Sequence, residues 1–179
     1  IREATRAHPQ VRLSSNLIMR CYPRFEQLRR EIHAGDLGEI FYVEGDYNYG
    51  RLEKITEGWR GDLVSYSVML GGGIHLVDLL LWLTGDQIVE ASAFGNQIAS
   101  RGSSFRFNDL AAGILRFDSG LVGKVTANFG CVHPHFHAVS VYGTNATFKN
   151  ELAGATRYAS RDPGKAPRVA TDPYPGIEK

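Results

Sequence analysis

Cysteine is scarce: Cys21 and Cys131 are the only two in 179 residues. Two cysteines so far apart make no disulfide framework. A stapled secreted scaffold is excluded, and the count fits a reducing, cytoplasmic setting. Long apolar runs are also missing. The most apolar stretch, 74–83, contains His75 and Asp78 and is about half the length a bilayer requires; nothing reads as a signal peptide. Neither charge is in excess, with 20 Lys+Arg against 19 Asp+Glu and a formal net charge of +1. That balance exerts no long-range pull on nucleic acid or an anionic membrane. The densest basic cluster, 24–30, includes Glu26 and reads as a solvated helix face. The sequence has no G-x-G-x-x-G and no P-loop. Gly71-Gly72-Gly73 has the wrong spacing, and no strand precedes it, so the chain has no ordinary cradle for a dinucleotide. No serine or cysteine nucleophile arrangement stands out.

What is present is a chain that is 43% hydrophobic, enough for one domain with a real core. It starts on Ile1 and ends in a proline-rich, weakly hydrophobic stretch, 162–179, so the expectation is a piece of a longer protein. Residues 1–7 have helical composition, stopped by His8-Pro9, and 11–19 reads as a strand. Pro23 opens a helix on which Phe25, Leu28 and Ile32 share a face, and Gly35 ends it. A long strand follows over 38–49. Residues 52–68 read as a loop with a helical turn, and the three glycines as a flexible joint. Residues 74–84 form a helix apolar nearly all round, closed by Gly85. The period then changes to two, giving strands over 89–98, 110–117, 121–129, 137–142, 147–152 and 156–160, with turns at Asp118-Ser119-Gly120 and Gly143-Thr144-Asn145. Two early helices and five or six later antiparallel strands predict an α+β domain: an open, mainly antiparallel sheet with helices on one face.

Two constellations could carry chemistry. His75 and Asp78 are three apart and share a helix face, with Trp82 further along. His75 lies in the first turn of its helix, just after three glycines, where backbone can approach a ligand. Histidine is the usual proton carrier near neutral pH; the plain alternative is a satisfied core histidine. The second is Cys131, His133, His135 and His137, which share one face at strand period. That row invites a metal reading. Pro134 interrupts the strand, and four same-face neighbours on one strand are spread too widely to reach one ion, so a substrate-touching rim is preferred and no metal ligand is assigned.

Several short pieces occur in an order that resembles the glucose–fructose oxidoreductase / inositol dehydrogenase (Gfo/Idh/MocA) family. They are Arg20-Cys21-Tyr22-Pro23, Gly35-Asp36-Leu37-Gly38-Glu39-Ile40, Trp59, Gly71-Gly72-Gly73-Ile74-His75-Leu76-Val77-Asp78, Trp82-Leu83-Thr84-Gly85 and Val141-Tyr142-Gly143-Thr144. The resemblance spans roughly residues 1–160. It implies a fold like the C-terminal domain of glyceraldehyde-3-phosphate dehydrogenase, without the N-terminal Rossmann domain. Residues 1–19 would finish the Rossmann domain, 20–160 would form a substrate-binding and dimerisation domain, and 161–179 an irregular tail.

The implied reaction is hydride transfer between NAD or NADP, bound by the missing domain, and a sugar, cyclitol or related polyol; this piece alone is expected to be inactive. His75 matches the family's active-site histidine. Asp78, Trp59, His133 and His135 fall to the substrate side, Asp78 also as support for the helix. The open sheet face is the expected homo-oligomer contact, with no nucleic acid and no membrane as partner. One departure matters. The family's aspartate in D-x-G-x-H is Gly71 here, which removes a charge-assisted hydrogen bond worth about 1.5–3 kcal/mol. That absence motivates an alternative: a binding or assembly module of the same fold without catalysis. A minor departure is Ala146 in place of a turn glycine.

Overall fold

The computed structural model describes residues 2–14 and 16–170. A short helix, α1 (Arg2–Ala7), buries no residue. A 3-10 turn, Ile18–Cys21, leads into α2 (Pro23–His33), with Pro23 in its first turn. Then come β1 (Ile40–Asn48), the single-turn α3 (Glu53–Thr56), a π-helical turn at Met69–Gly73 and, directly continuous with it, α4 (Ile74–Thr84). The remaining elements are β2 (Ile88–Asn96), β3 (Leu110–Phe117), β4 (Val122–Asn128), β5 (Phe136–Gly143), β6 (Thr147–Glu151), β7 (Gly154–Tyr158) and β8 (Arg168–Ala170).

All eight strands form one sheet in the order β2-β3-β4-β1-β5-β6-β7-β8. Every pairing is antiparallel except β1 with β4, which is parallel. The mainly antiparallel α+β expectation therefore describes the fold, with one change: the earliest strand sits in the middle. β1 alternates along its length, with Val43, Gly45 and Tyr47 turned inward. Leu76 of α4 lies over Gly45, where an added Cβ would come within 3.1 Å of its side chain, so helix and sheet approach closely because that residue is glycine. Leu76, Leu79, Leu80 and Leu83 are fully buried. The glycine that ends α4, Gly85, has φ +70°, and its N–H closes onto Leu81 O at 2.9 Å.

The other sheet face is open. At its centre Lys124 Nζ lies 3.1 Å from both Glu44 and Asp46, and the hydroxyls of Tyr42 and Tyr142 donate to Glu44 at 3.2 Å. Toward the β2 edge the face turns apolar, with Phe94 85% and Ile114 53% exposed.

Four expectations change. Residues 11–14 and 16–17 form no strand and pair with none of the sheet's strands, and Ile18–Cys21 is the 3-10 turn. The three glycines are not a joint but a π-helical turn running into α4. A Cβ on Gly72 would meet Tyr47 at 2.6 Å and Phe129 at 3.0 Å, so the glycines serve close packing rather than flexibility. Part of the stretch 161–179 is ordered as β8; its last nine residues lie outside the described ones. The row at 131–137 shares no strand face, because β5 begins only at Phe136. Among the described residues, no helix is long and apolar enough to cross a membrane.

Candidate functional site

The end of β1, the start of β5 and the first turn of α4 meet at one place. The register pairs Tyr47 with His137, and the two rings touch edge-on with centroids 4.9 Å apart. Tyr47 also stacks nearly parallel on His75 at 6.2 Å and contacts His135 at 5.4 Å. His135 lies against Tyr49 at 5.1 Å and His137 at 5.0 Å. Phe129, just past β4, closes the cluster against Tyr47, Tyr49 and Tyr66. Helix α4 and the start of β5 thus deliver three imidazoles around one buried tyrosine of β1.

Three polar atoms here are buried and lack a hydrogen-bond partner: His75 Nδ1, His135 Nε2 and Tyr66 Oη. Such groups are rare in folded proteins because each forfeits its hydration, at a penalty of about 1–3 kcal/mol. All three are gathered on one aromatic cluster.

The electrostatics favour neutral imidazoles. Burial pushes the His75 pKa below its ordinary value, with Asp78 pulling the other way. His135 is lowered by burial and then by Arg51 and His75. His137, 7% exposed, is pushed down to about 3 by burial and then by its two histidine neighbours. The Tyr47 hydroxyl is raised to about 12, mainly by burial. At neutral pH the three rings are therefore uncharged, each with one donor and one acceptor nitrogen.

The expected site residues are only partly gathered. His75 and His135 meet in the cluster. His133 sits outside it, its Nδ1 2.7 Å from Pro134 O. Asp78 turns to the scaffold, where Arg20 grips both of its oxygens. Trp59 is 63% exposed with the Arg60 guanidinium 4.5 Å above its ring. Cys131 Sγ contacts Asn128 O at 3.4 Å. No group of three or more His, Cys, Asp or Glu among the described residues is placed to hold a metal ion.

Sequence reasoning did not single out Tyr47, Tyr49, Tyr66 or Phe129. Tyr47 and Tyr49 carried a signal, two aromatics at period two where a strand ends; Tyr66, in an aperiodic segment, carried none.

Among the described residues, the Gly71-Gly72-Gly73 cluster does not fit a dinucleotide phosphate, because its side-chain space is filled by Tyr66, Tyr47 and Met69.

The sequence profile of the GFO/IDH/MocA C-terminal domain matches residues 25–149. No curated protein sequence matches. Solved structures do. An oxidoreductase domain protein from Kribbella flavida is 19% identical with a TM-score of 0.71, covering 93% of this chain and 49% of that one. A myo-inositol 2-dehydrogenase from Lactobacillus plantarum is 18% identical with a TM-score of 0.71, covering 83% and 44%. A scyllo-inositol dehydrogenase from Lactobacillus casei, solved with NAD(H) and scyllo-inositol, is 14% identical with a TM-score of 0.69, covering 85% and 45%. At these identities the likeness shows the fold, and the chain spans about half the length of each.

Proposed function

This chain belongs to the GFO/IDH/MocA oxidoreductase family as a C-terminal domain, and we propose that it is the substrate-binding half of an enzyme that transfers a hydride between NAD or NADP and a sugar, cyclitol or related polyol. The observation that carries this reading is the pair of orphaned imidazole nitrogens, His75 Nδ1 and His135 Nε2, on one aromatic cluster. Coverage of about half of each matched structure supports a dinucleotide held by a domain outside these 179 residues.

A nicotinamide supplies the hydride chemistry; this chain supplies the proton's partner. His75, neutral at pH 7, accepts a hydrogen bond from the reacting hydroxyl and takes its proton as the carbon is oxidised, or returns it in reduction. His135 holds a second substrate oxygen. Tyr47, stacked on His75, fixes the ring plane. The open face, with Phe94 and Ile114 exposed toward β2, is the homo-oligomer contact in this reading.

The test is a titration of the intact protein with NADH and NADPH, followed by turnover of a cyclitol and hexose panel with wild type and His75→Gln. Binding of one cofactor, turnover of a polyol and a fall in kcat of about 10²–10⁴ with the variant support it. An intact protein that binds neither cofactor would overturn it. The glycine at 71 favours one second reading, a binding module without turnover; cofactor binding without turnover of any polyol would select that.

A further inference from the structure

An asparagine is buried on the inner face of the sheet, in apolar company. Asn150 of β6 lies there beside Val139, Val141 and Phe148, all of them buried. Asparagine is a poor strand former, and burying its amide costs free energy unless both ends are bonded. Both are. The amide oxygen accepts from Arg24 Nη1 at 2.5 Å, and the amide nitrogen donates to the His137 carbonyl oxygen at 2.8 Å. Arg24, in the first turn of α2, is buried as well. A valine at 150 would pack against the same neighbours without the cost of the amide, so the amide's role lies in what it ties together.

The tie falls where β5 lacks a neighbour. The pairing of β5 with β6 ends at Val139 and Asn150, while its pairing with β1 runs on through Ala138, His137 and Phe136. Residues 136–138 therefore have a strand on one side only, and they follow a non-strand segment that contains Pro134 and His135. The Asn150 side chain reaches past the end of the ladder to the carbonyl of the middle residue. That residue pairs with Tyr47 through its backbone and meets the Tyr47 ring edge-on. His135, two residues earlier, lies 5.4 Å from Tyr47 and 5.0 Å from His137, and Tyr47 stacks on His75 at 6.2 Å. Any slip at this end of β5 moves two imidazoles against the third.

We propose that Asn150 is a positioning residue of the histidine cluster: held by Arg24, it clamps the His137 carbonyl and so sets where His135 and His137 lie against Tyr47 and His75. Its effect on turnover rests on the oxidoreductase reading above; its effect on the rings does not.

The test uses the intact protein and Asn150→Asp. The carboxylate keeps the shape and an acceptor for Arg24 but, ionised beside that guanidinium, has no proton to give the His137 carbonyl. The imidazole resonances report the rings, with His33 at the end of α2 as internal control, and turnover of the best polyol of the panel reports the consequence. The His135 and His137 resonances move and that of His33 does not; kcat falls by about 10–100-fold while KM stays within about a factor of two. Arg24→Lys loosens the grip on Asn150 without changing the charge. It moves the same resonances less, and it decides the matter if Asn150→Asp does not fold. Resonances of His135 and His137 that stay in place in the folded variant, or a kcat equal to wild type once they have moved, overturn the inference. A wild type that binds no nicotinamide and turns over no polyol brings down the oxidoreductase reading instead, and the resonances alone then decide the role of Asn150.

Discussion

Arg20 Nε donates to Asp78 Oδ2 at 2.7 Å while a second guanidinium nitrogen holds Oδ1. The pair joins the turn before α2 to the middle of α4. The carboxylate is 12% exposed and the guanidinium 44%. Asp78 shares a helix with His75, yet this grip spends its hydrogen-bonding capacity on the scaffold and holds in place the helix that carries the histidine.

Asp78→Asn is therefore expected to act on stability. Exposed ion pairs contribute about 0.2–1 kcal/mol, and a half-exposed two-pronged pair belongs near the top of that range. Urea unfolding should show a loss of about 1 kcal/mol, shared with Arg20→Ala in a double-mutant cycle. On the proposed function, the KM of the intact protein for its polyol should stay within a factor of two; a tenfold rise would place Asp78 on the substrate.

Acid should unfold the domain through its histidines. A pKa lower in the folded than in the unfolded state means the unfolded chain binds more protons as pH falls. The stabilisation is full above the ordinary value of 6.5 and is lost on the way down toward about 3 for His137. At about 1.4 kcal/mol per unit, His137 alone sets a ceiling of roughly 5 kcal/mol. Unfolding free energy measured from pH 7.5 to 4 should drop steadily below 6.5, and His137→Gln should flatten that slope. An unchanged slope would sink the assignment.

Tyr66→Phe should not weaken the fold. The ring keeps its contacts with Phe105 and Phe129, and a buried hydroxyl without a partner is removed. Unfolding free energy should be unchanged or rise by about 1 kcal/mol. A loss above 1 kcal/mol would show that the hydroxyl is bonded within the folded protein.

On the proposed function, the pH profile of the intact protein's turnover should report His75. Oxidation needs the neutral ring, whose pKa lies below 6.5 because of burial. The kcat/KM for oxidation should rise with pH on the acid side and be level from about pH 6.5 upward. A rise still under way at pH 8 would point to another base.

Local patterns made much of the fold legible. Helix α4 follows from an apolar run and a terminal glycine, and β3 from alternation between turn residues, because both signals lie within the element. The centre of the sheet was hidden: nothing in residues 40–48 says that their neighbours will be β4 and β5. The pairing of Tyr47 with His137 was hidden for the same reason, being a register between strands far apart in sequence. His75 and His135 stand out as polar residues in apolar or aromatic company. Tyr66 does not, because its place depends on Gly71 having no side chain.

The placement of β1 has a consequence for biosynthesis. Its partners begin only at Val122 and Phe136, so at about 5–20 residues per second a newly made β1 waits roughly 4–20 s on the ribosome with both edges bare. Helix α4 emerges first and can shelter the inward face, Leu76 against Gly45, but not the edges. Chaperone demand should therefore peak in that interval, and ribosome pausing between α4 and β4 should lower soluble yield more than pausing after β5.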